Sequence, residues 1–412
     1  MKKSVFDIAV IGGGPAGIFS SIFASENNAS VVLFDKNEEA GGKLPITGNF
    51  RCNITNERIS EDDYVGSNHL FVKNVFARFS NNDLIEFFSD LNVPFLKEGE
   101  RYYPLTEKSK TILSALKKKM IENNVEIICK ATAEEVKITD GLYEIKTSSG
   151  IFQSSAVIIC TGGKSYSKRF GSGGGYKIAE SLGHRPTFLR PGLTSFNETE
   201  GRFASLSGVT LRSVISLEIE GKRVFKESGS LLFTHHGFSG PAVMDASNRL
   251  AVSGKESAVI SIDFFNGRFR DFDRFYDTLI EDREKKISKI FSGSIPSSLS
   301  EIIIREIKIN ADLKVGETKK ESIMQIFRAF NDCRVKVKLN GNFDEAQVTV
   351  GGIATDEINP KSMESKLVKN LFFAGEIIDI AGDCGGYNLQ FAFSTGYIAG
   401  TNARCVGKTT HL

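Results

Sequence analysis

Three glycines and one acid carry the clearest chemistry in this chain. Residues 8–17 read Ile8-Ala9-Val10-Ile11-Gly12-Gly13-Gly14-Pro15-Ala16-Gly17, and Asp35 closes the apolar run Val31-Val32-Leu33-Phe34. Strand, glycine turn, helix, second strand and acid follow in the order of a βαβ unit that holds the ADP half of a dinucleotide. Gly12 lets the chain turn tightly out of its strand, and Gly14, without a Cβ, lets the backbone approach a pyrophosphate. Gly17 permits close packing of helix on strand. The helix start at Pro15 and Ala16 offers N–H groups and a positive dipole end to phosphates. Asp35, next to Lys36, can accept hydrogen bonds from a ribose hydroxyl.

A second set of residues lies near the other end. The strand-like Phe372-Phe373-Ala374 runs into Gly375-Glu376, and Gly382-Asp383-Cys384-Gly385-Gly386-Tyr387-Asn388-Leu389 opens the last helix. In flavoproteins with this nucleotide fold, an acid such as Glu376 can bond the ribityl chain. Backbone N–H groups around Gly385, Gly386, Asn388 and Leu389 could face the N1/O2 edge of an isoalloxazine and favour its anionic reduced form. The plain alternative is a glycine-rich helix cap. Two such elements at opposite ends of one chain favour FAD over NAD as the tightly held ligand.

The elements that must position these residues follow from apolar spacing. Strands are expected at 4–11 and 30–35, with a helix from about 15 to 27 between them. Residues 38–56 are glycine-rich and polar, an ordered loop. Helical spacing occupies 70–91 and 108–124, and 125–129 reads as a third strand. A hairpin is expected at 142–147 and 150–154, leading into the buried strand 156–160 that ends at Thr161-Gly162-Gly163. After Pro191 the alternation becomes antiparallel in character over 205–265. Residues 268–330 are helical with a break near 294–296, and 333–350 return to short strands. The fold class is therefore α/β. The FAD-binding domain is expected at 1–190 and 352–412, and an inserted domain at 191–351. The insert divides into β-barrel (191–267 and 331–351) and helical (268–330) parts.

Composition sets bounds. The 412 residues suffice for two or three cores, and the formal net charge of +2 speaks against a large basic footprint, so a nucleic-acid partner is not expected. The six cysteines at 52, 129, 160, 333, 384 and 405 form no C-x-x-C, which suggests neither a zinc site nor a disulfide framework. The C-x-x-x-x-C pair of a disulfide reductase is absent too, as is a second strand–glycine–helix unit for a nicotinamide domain. Asp7 interrupts the apolar start, no stretch is long enough to span a bilayer, and a cytoplasmic protein is expected.

The motifs together resemble the HI0933-like flavoproteins, NAD(P)/FAD-dependent oxidoreductases related to the BaiN-type enzymes. The matching stretches are Gly12–Gly17, Gly41-Gly42-Lys43, Thr47-Gly48-Asn49 with Arg51-Cys52-Asn53-Ile54-Thr55-Asn56, and Thr161-Gly162-Gly163. Leu232–Pro241, Val348–Gly352 and Gly375–Gln390 complete them. The resemblance implies a glutathione-reductase-class FAD-binding Rossmann-like domain with an inserted β-barrel and helical subdomain. It adds Gly42, Lys43, Arg51, Cys52, Asn53, Thr161 and Gly162 to the cofactor set, with Lys43 near the pyrophosphate or flavin N5. It also places backbone groups of Val136 against the adenine. Two departures are Cys384 where the family often has threonine, and Phe170–Gly175, which lacks the family's usual acid.

His235-His236 is the chain's only histidine pair, read either as a proton donor to substrate or as a structural turn. No third ligand with metal-site spacing stands nearby. The leading expectation is an FAD-dependent oxidoreductase that passes hydride through flavin N5 between NAD(P)H and a small organic substrate, bound in a cleft between domain and insert. Alternatives are an amine- or aminoketone-type oxidase, or a flavin-bearing binding or regulatory protein with little turnover.

Overall fold

The structure, a computed structural model, describes residues 5–26, 28–170, 173–269 and 271–403. Met1–Lys3, Gly171 and Ser172 of the second glycine run, and Arg404 and Cys405 lie outside them. The chain divides into two compact units, Met1–Pro191 with Phe343–Leu412, and Gly192–Asn342. Residues 343–351, expected with the insert, group with the first unit. Their bonds explain it: Phe343 O accepts the Tyr166 N–H, and Asp344 Oδ1 accepts from the Ser167 hydroxyl and the Lys168 N–H.

The first unit is built on a seven-stranded sheet. Its strands are β1 (Val5–Ile11), β2 (Val31–Phe34), β3 (Glu126–Ile128), β4 (Ala133–Thr139), β5 (Leu142–Thr147), β6 (Gly150–Ile159) and β7 (Leu371–Phe373). The order is β3-β2-β1-β6-β5-β4, and β7 also pairs with β6. Strands β3, β2, β1, β6 and β7 run parallel, with Ile8 opposite Val31 and Ala156, and Ile159 opposite Phe373. The apolar runs of β2, β7 and the second halves of β1 and β6 are buried, as a parallel sheet covered on both faces requires, while the edge strand β3 is only partly buried. The expected hairpin strand and the buried strand after it are one element, β6. Its first half pairs antiparallel with β5 and its second half parallel with β7.

Helix α1 (Pro15–Ser25) packs on the last helix, α4 (Tyr387–Asn402). A Cβ on Gly396 would lie 2.5 Å from Ala16 O, so the two helices approach as closely as backbones allow. Between them in sequence come α2 (Ser109–Glu122) and α3 (Gly174–Ser181). The expected helix over 70–91 is two helices, Phe71–Phe76 and Asn81–Asp90. The break is set by Ser80, whose hydroxyl accepts the Asp83 N–H while Asp83 accepts from the Ser80 N–H, a capping box that starts a new helix.

The second unit is a closed antiparallel barrel. Its strands run in the order Phe196–Glu198, Gly237–Ser239, Lys222–Thr234, Thr210–Ile219, Ser257–Asp263 and Cys333–Leu339. Helix Pro241–Val252 packs on the long hairpin, and helices Phe272–Ile280, Ser297–Glu306 and Lys320–Asn331 form the helical part. Their core is a cluster of phenylalanines in which Phe291 and Phe330 lie 4.3 Å apart, centroid to centroid, and Phe265 and Phe275 5.4 Å. Among the described residues no helix is long and apolar enough to cross a membrane.

Candidate cofactor site at the carboxyl edge of the sheet

The parallel strands all release their loops at one edge, where ligands of open α/β sheets bind. After β1, Gly12 adopts φ +105° and its N–H donates to Phe34 O at 2.8 Å. The next N–H, from Gly13, donates to Asp35 Oδ2 at 2.7 Å, and Asp35 Oδ1 accepts from the Asn37 N–H (2.7 Å) and side chain (2.8 Å). Asp35 is thus a buried brace for the glycine turn as well as an acid at the end of β2. Beside it, partial burial pulls the Lys36 ammonium below its usual range, against the opposing pull of Asp35. A Cβ on Gly17 would collide with Gly12 O, so helix and turn require glycine at both places. Gly14 differs: a Cβ there would meet no atom within 4 Å. Its open face, at the start of α1 behind Pro15 and Ala16, is a cradle that protein atoms leave clear.

The loop after β2 continues along this edge. Gly41 N–H donates to Gly13 O at 2.7 Å, and a Cβ on Gly42 would lie 3.1 Å from Gly14 Cα. Lys43 Nζ then meets Glu376 Oε2 at 2.6 Å, the Ser165 hydroxyl, and Gln347 O at 3.4 Å. At its far end this segment reaches the start of α4. Asn56 Nδ2 donates to Gly385 O at 3.2 Å, and a Cβ on Gly386 (φ +96°) would lie 2.8 Å from Thr55 backbone. The two ends of this segment, Gly41–Gly42 and Thr55–Asn56, therefore stand at the glycine turn after β1 and at the start of α4. There Asn388 braces its own loop, exchanging bonds with Gly382 N–H (2.9 Å) and Gly382 O (2.8 Å), and Leu389 is half-buried.

After β6 the turn Thr161-Gly162-Gly163 lies between β1 and β7. Gly162 (φ +69°) again has open space where a Cβ would stand, and Thr161 Oγ1 is buried with no hydrogen-bond partner. After β7, Gly375 N–H donates to Thr395 Oγ1 at 2.9 Å. Glu376, expected at a ribityl chain, spends Oε1 on the Thr349 N–H (2.9 Å) and the Ser165 hydroxyl (3.0 Å). A buried hydroxyl without a partner and two glycine faces left open along one strand edge fit FAD.

Further residues expected at the cofactor have partners within the protein. Arg51 is held by Glu98 (2.6 Å) and Glu107 and stacks over Tyr103 at 4.2 Å, so its guanidinium is committed within the protein. Cys52 is fully buried, and burial pushes its thiol up to about 12. Asn53 Oδ1 accepts the Tyr102 N–H at 3.2 Å. Cys52 and Cys384 form no disulfide among the described residues. Val136 sits inside β4 opposite Ile145, in the outermost strand of the sheet. The backbone bonded to Asp35 and Asn37 comes from the segment after β3, where Ala131 N–H donates to Asp35 O and Lys130 N–H to Asn37 O. Neither that segment nor the side chains of Ser165 and Thr349 stand out in the sequence as site residues. Ser165 stands two residues past Gly163, and Thr349 lies inside the quoted Val348–Gly352 stretch; hydroxyls beside glycine turns were the available signal.

His235 and His236 form the exposed turn between barrel strands Lys222–Thr234 and Gly237–Ser239. They line an open depression with Asn197, Glu198, Gly201 and Ala204. His236 O accepts the Glu198 N–H at 2.8 Å. Among the described residues no cluster of three metal-ligating side chains occurs.

A glycine turn, a braced acid and a helix start at the carboxyl edge of a parallel sheet define an FAD-binding Rossmann-like protein of the flavin-dependent oxidoreductases. The model of the family described as "HI0933-like protein Rossmann domain" matches residues 6–402, and the chain belongs to that family. It is 30% identical over 404 residues (96% of this chain, 98% of the relative) to a 3-dehydro-bile acid delta(4,6)-reductase of Clostridium scindens. It is 27% identical over 398 residues (95% and 96%) to a ribosomal RNA dihydrouridine synthase of Escherichia coli. A solved 3-ketosteroid delta1-dehydrogenase of Sterolibacterium denitrificans shares the fold at TM-score 0.51 and 11% identity, covering 96% of this chain and 99% of that one.

Proposed function

We propose that this oxidoreductase reduces a carbon–carbon double bond conjugated with a carbonyl, with NAD(P)H as the hydride source. One observation carries the reading. Two relatives that match the chain almost end to end are named for different substrates, a 3-dehydro-bile acid and a ribosomal RNA, yet both names describe saturation of a double bond in a carbonyl-bearing ring. The shared part is the chemistry, and the substrate is what diverges.

Bound FAD supplies a carrier that takes a hydride from NAD(P)H and gives it to the substrate's β-carbon. The chain's own work is to hold that carrier and to manage charge and a proton. The turn at Gly12–Gly14 and the start of α1 take the pyrophosphate, and Asp35 takes the ribose. The start of α4 at Gly385–Leu389 offers N–H groups where negative charge accumulates. The α-carbon of the substrate must gain a proton as the β-carbon gains hydride. The candidates for that proton are His235 and His236, which are exposed.

A ribosomal RNA substrate is the second reading, supported by relatives of that name from Escherichia coli and Haemophilus influenzae, at 27% and 28% identity. It reopens the nucleic-acid partner that the balanced charge spoke against.

The test is anaerobic titration of the FAD-loaded protein with NADH and with NADPH, followed by a 4,6-dien-3-one steroid or uridine-containing ribosomal RNA. The proposal expects one nicotinamide to bleach the flavin and one substrate to restore its colour while gaining two hydrogens by mass. Bleaching by an amine alone points to an oxidase and overturns the proposal. Bleaching by neither points to a binding protein and overturns it as well.

A further inference from the structure

Lys43 and Glu376, assigned by sequence to two separate flavin contacts, form one ion pair of 2.6 Å, each side chain 20% exposed. The pair is tied down on every side. The Lys43 ammonium has three acceptors: Glu376 Oε2, the Ser165 hydroxyl and Gln347 O. Glu376 Oε1 accepts from the Thr349 N–H and from the Ser165 hydroxyl, so fully buried Ser165 touches both charges. Thr349 Oγ1 in turn accepts the N–H groups of Lys164 (2.7 Å) and Ser165 (3.1 Å). The four segments involved follow β2, β6 and β7 or flank the Thr161 turn. A Cβ on Gly163 would lie 2.6 Å from Glu376 Oε1, and Gly42, beside Lys43, faces Gly14. The pair therefore stands among the glycines of the cofactor edge.

A partly buried ion pair is a weak source of stability, because desolvation offsets most of its attraction. Its placement has an electrostatic consequence instead. Reduction adds negative charge to a flavin; a fixed cation nearby favours the reduced form and a fixed anion the oxidised form. We propose that Lys43 and Glu376 are a matched pair of opposite charges that sets the reduction potential of the flavin, with Ser165 and Thr349 as the residues that position it. The inference needs the flavin but neither the hydride donor nor the substrate proposed above, so the two can fail separately.

Matched charges make a signed prediction. In Lys43→Met the carboxylate of Glu376 stands alone, and the preference for reduced flavin falls by about tenfold, a potential about 30 mV lower for a two-electron couple. In Glu376→Gln the ammonium stands alone, and the preference rises by about as much. The double variant returns toward wild type, and Lys43→Arg, which keeps the charge, stays near it. Midpoint potentials of the FAD-loaded proteins, measured by equilibrium with a reference dye, decide. Opposite signs for the two single variants support the proposal. Shifts of the same sign, or no shift in Glu376→Gln, overturn it, since a purely structural pair would disturb the site alike from either side. If Lys43→Met fails to retain FAD, Glu376→Gln decides by sign alone: a rise supports the proposal, and a fall or no change overturns it.

Discussion

The two units of this chain differ in where they leave polar groups and glycines without a structural task. In the nucleotide unit several of them stand at the carboxyl edge of the sheet. Gly14 and Gly162 face open space, Thr161 Oγ1 has no partner, and a rigid ion pair stands beside them. In the barrel unit the interior is closed by packed phenylalanines. Several of its charged side chains answer one another at the surface, as Arg202 does with Glu306 and Arg334 with Glu218. Its unpartnered buried hydroxyls are scattered, at Thr194 before the first barrel strand, Ser213 within a strand and Ser300 within a helix. The first unit has the features of a cofactor site at that edge.

That contrast can be broken by substitutions that should separate turnover from cofactor retention. The largest effect is expected in the barrel unit. Replacing the operative member of the His235–His236 pair by alanine should slow turnover by about 10²–10⁴-fold, the range for loss of a general acid. FAD content should stay normal. Stopped-flow traces of flavin reduction and reoxidation in each single variant check this; wild-type rates in both variants would place the proton donor elsewhere. In the nucleotide unit, Asp35→Ala should weaken FAD binding by about 10- to 150-fold, from a charged hydrogen bond of roughly 1.5–3 kcal/mol. The loss should be sharpened because Gly13 N–H also loses its acceptor. An unchanged FAD dissociation constant in a fluorescence titration would remove Asp35 from the ribose.

The smallest effect concerns the buried thiols of the nucleotide unit. Burial raises Cys52 and Cys160 from 9.0 to about 12. A raised acid stays protonated in the folded state, so its contribution is full below the unfolded value and is lost as pH climbs from about 9 toward 12. Urea midpoints should therefore fall over that window. Cys52→Ala should flatten part of the fall, and an identical pH slope would show that the thiol does not contribute.

Much of this was legible in the sequence, for physical reasons. Parallel strands buried on both faces read as unbroken apolar runs, which made β1, β2 and β6 visible. Gly12 and Gly17 have fixed spacing because the turn and the helix packing leave no room for a Cβ. Side-chain partnerships between distant segments were not legible. Arg51 looks like a phosphate ligand until Glu98 and Glu107, some fifty residues on, are seen to hold it. Lys43 and Glu376 look like independent contacts because 333 positions separate them. The bonds of Lys130 and Ala131 to Asn37 and Asp35 were hidden too, because they join segments some ninety residues apart.

The central claim is that the strand edge of the nucleotide unit holds FAD. Its most direct test is to purify the protein, release its cofactor by heat and identify it by mass. The account predicts a yellow protein that yields FAD. A protein that yields FMN, or that takes up no flavin after incubation with excess FAD, contradicts it.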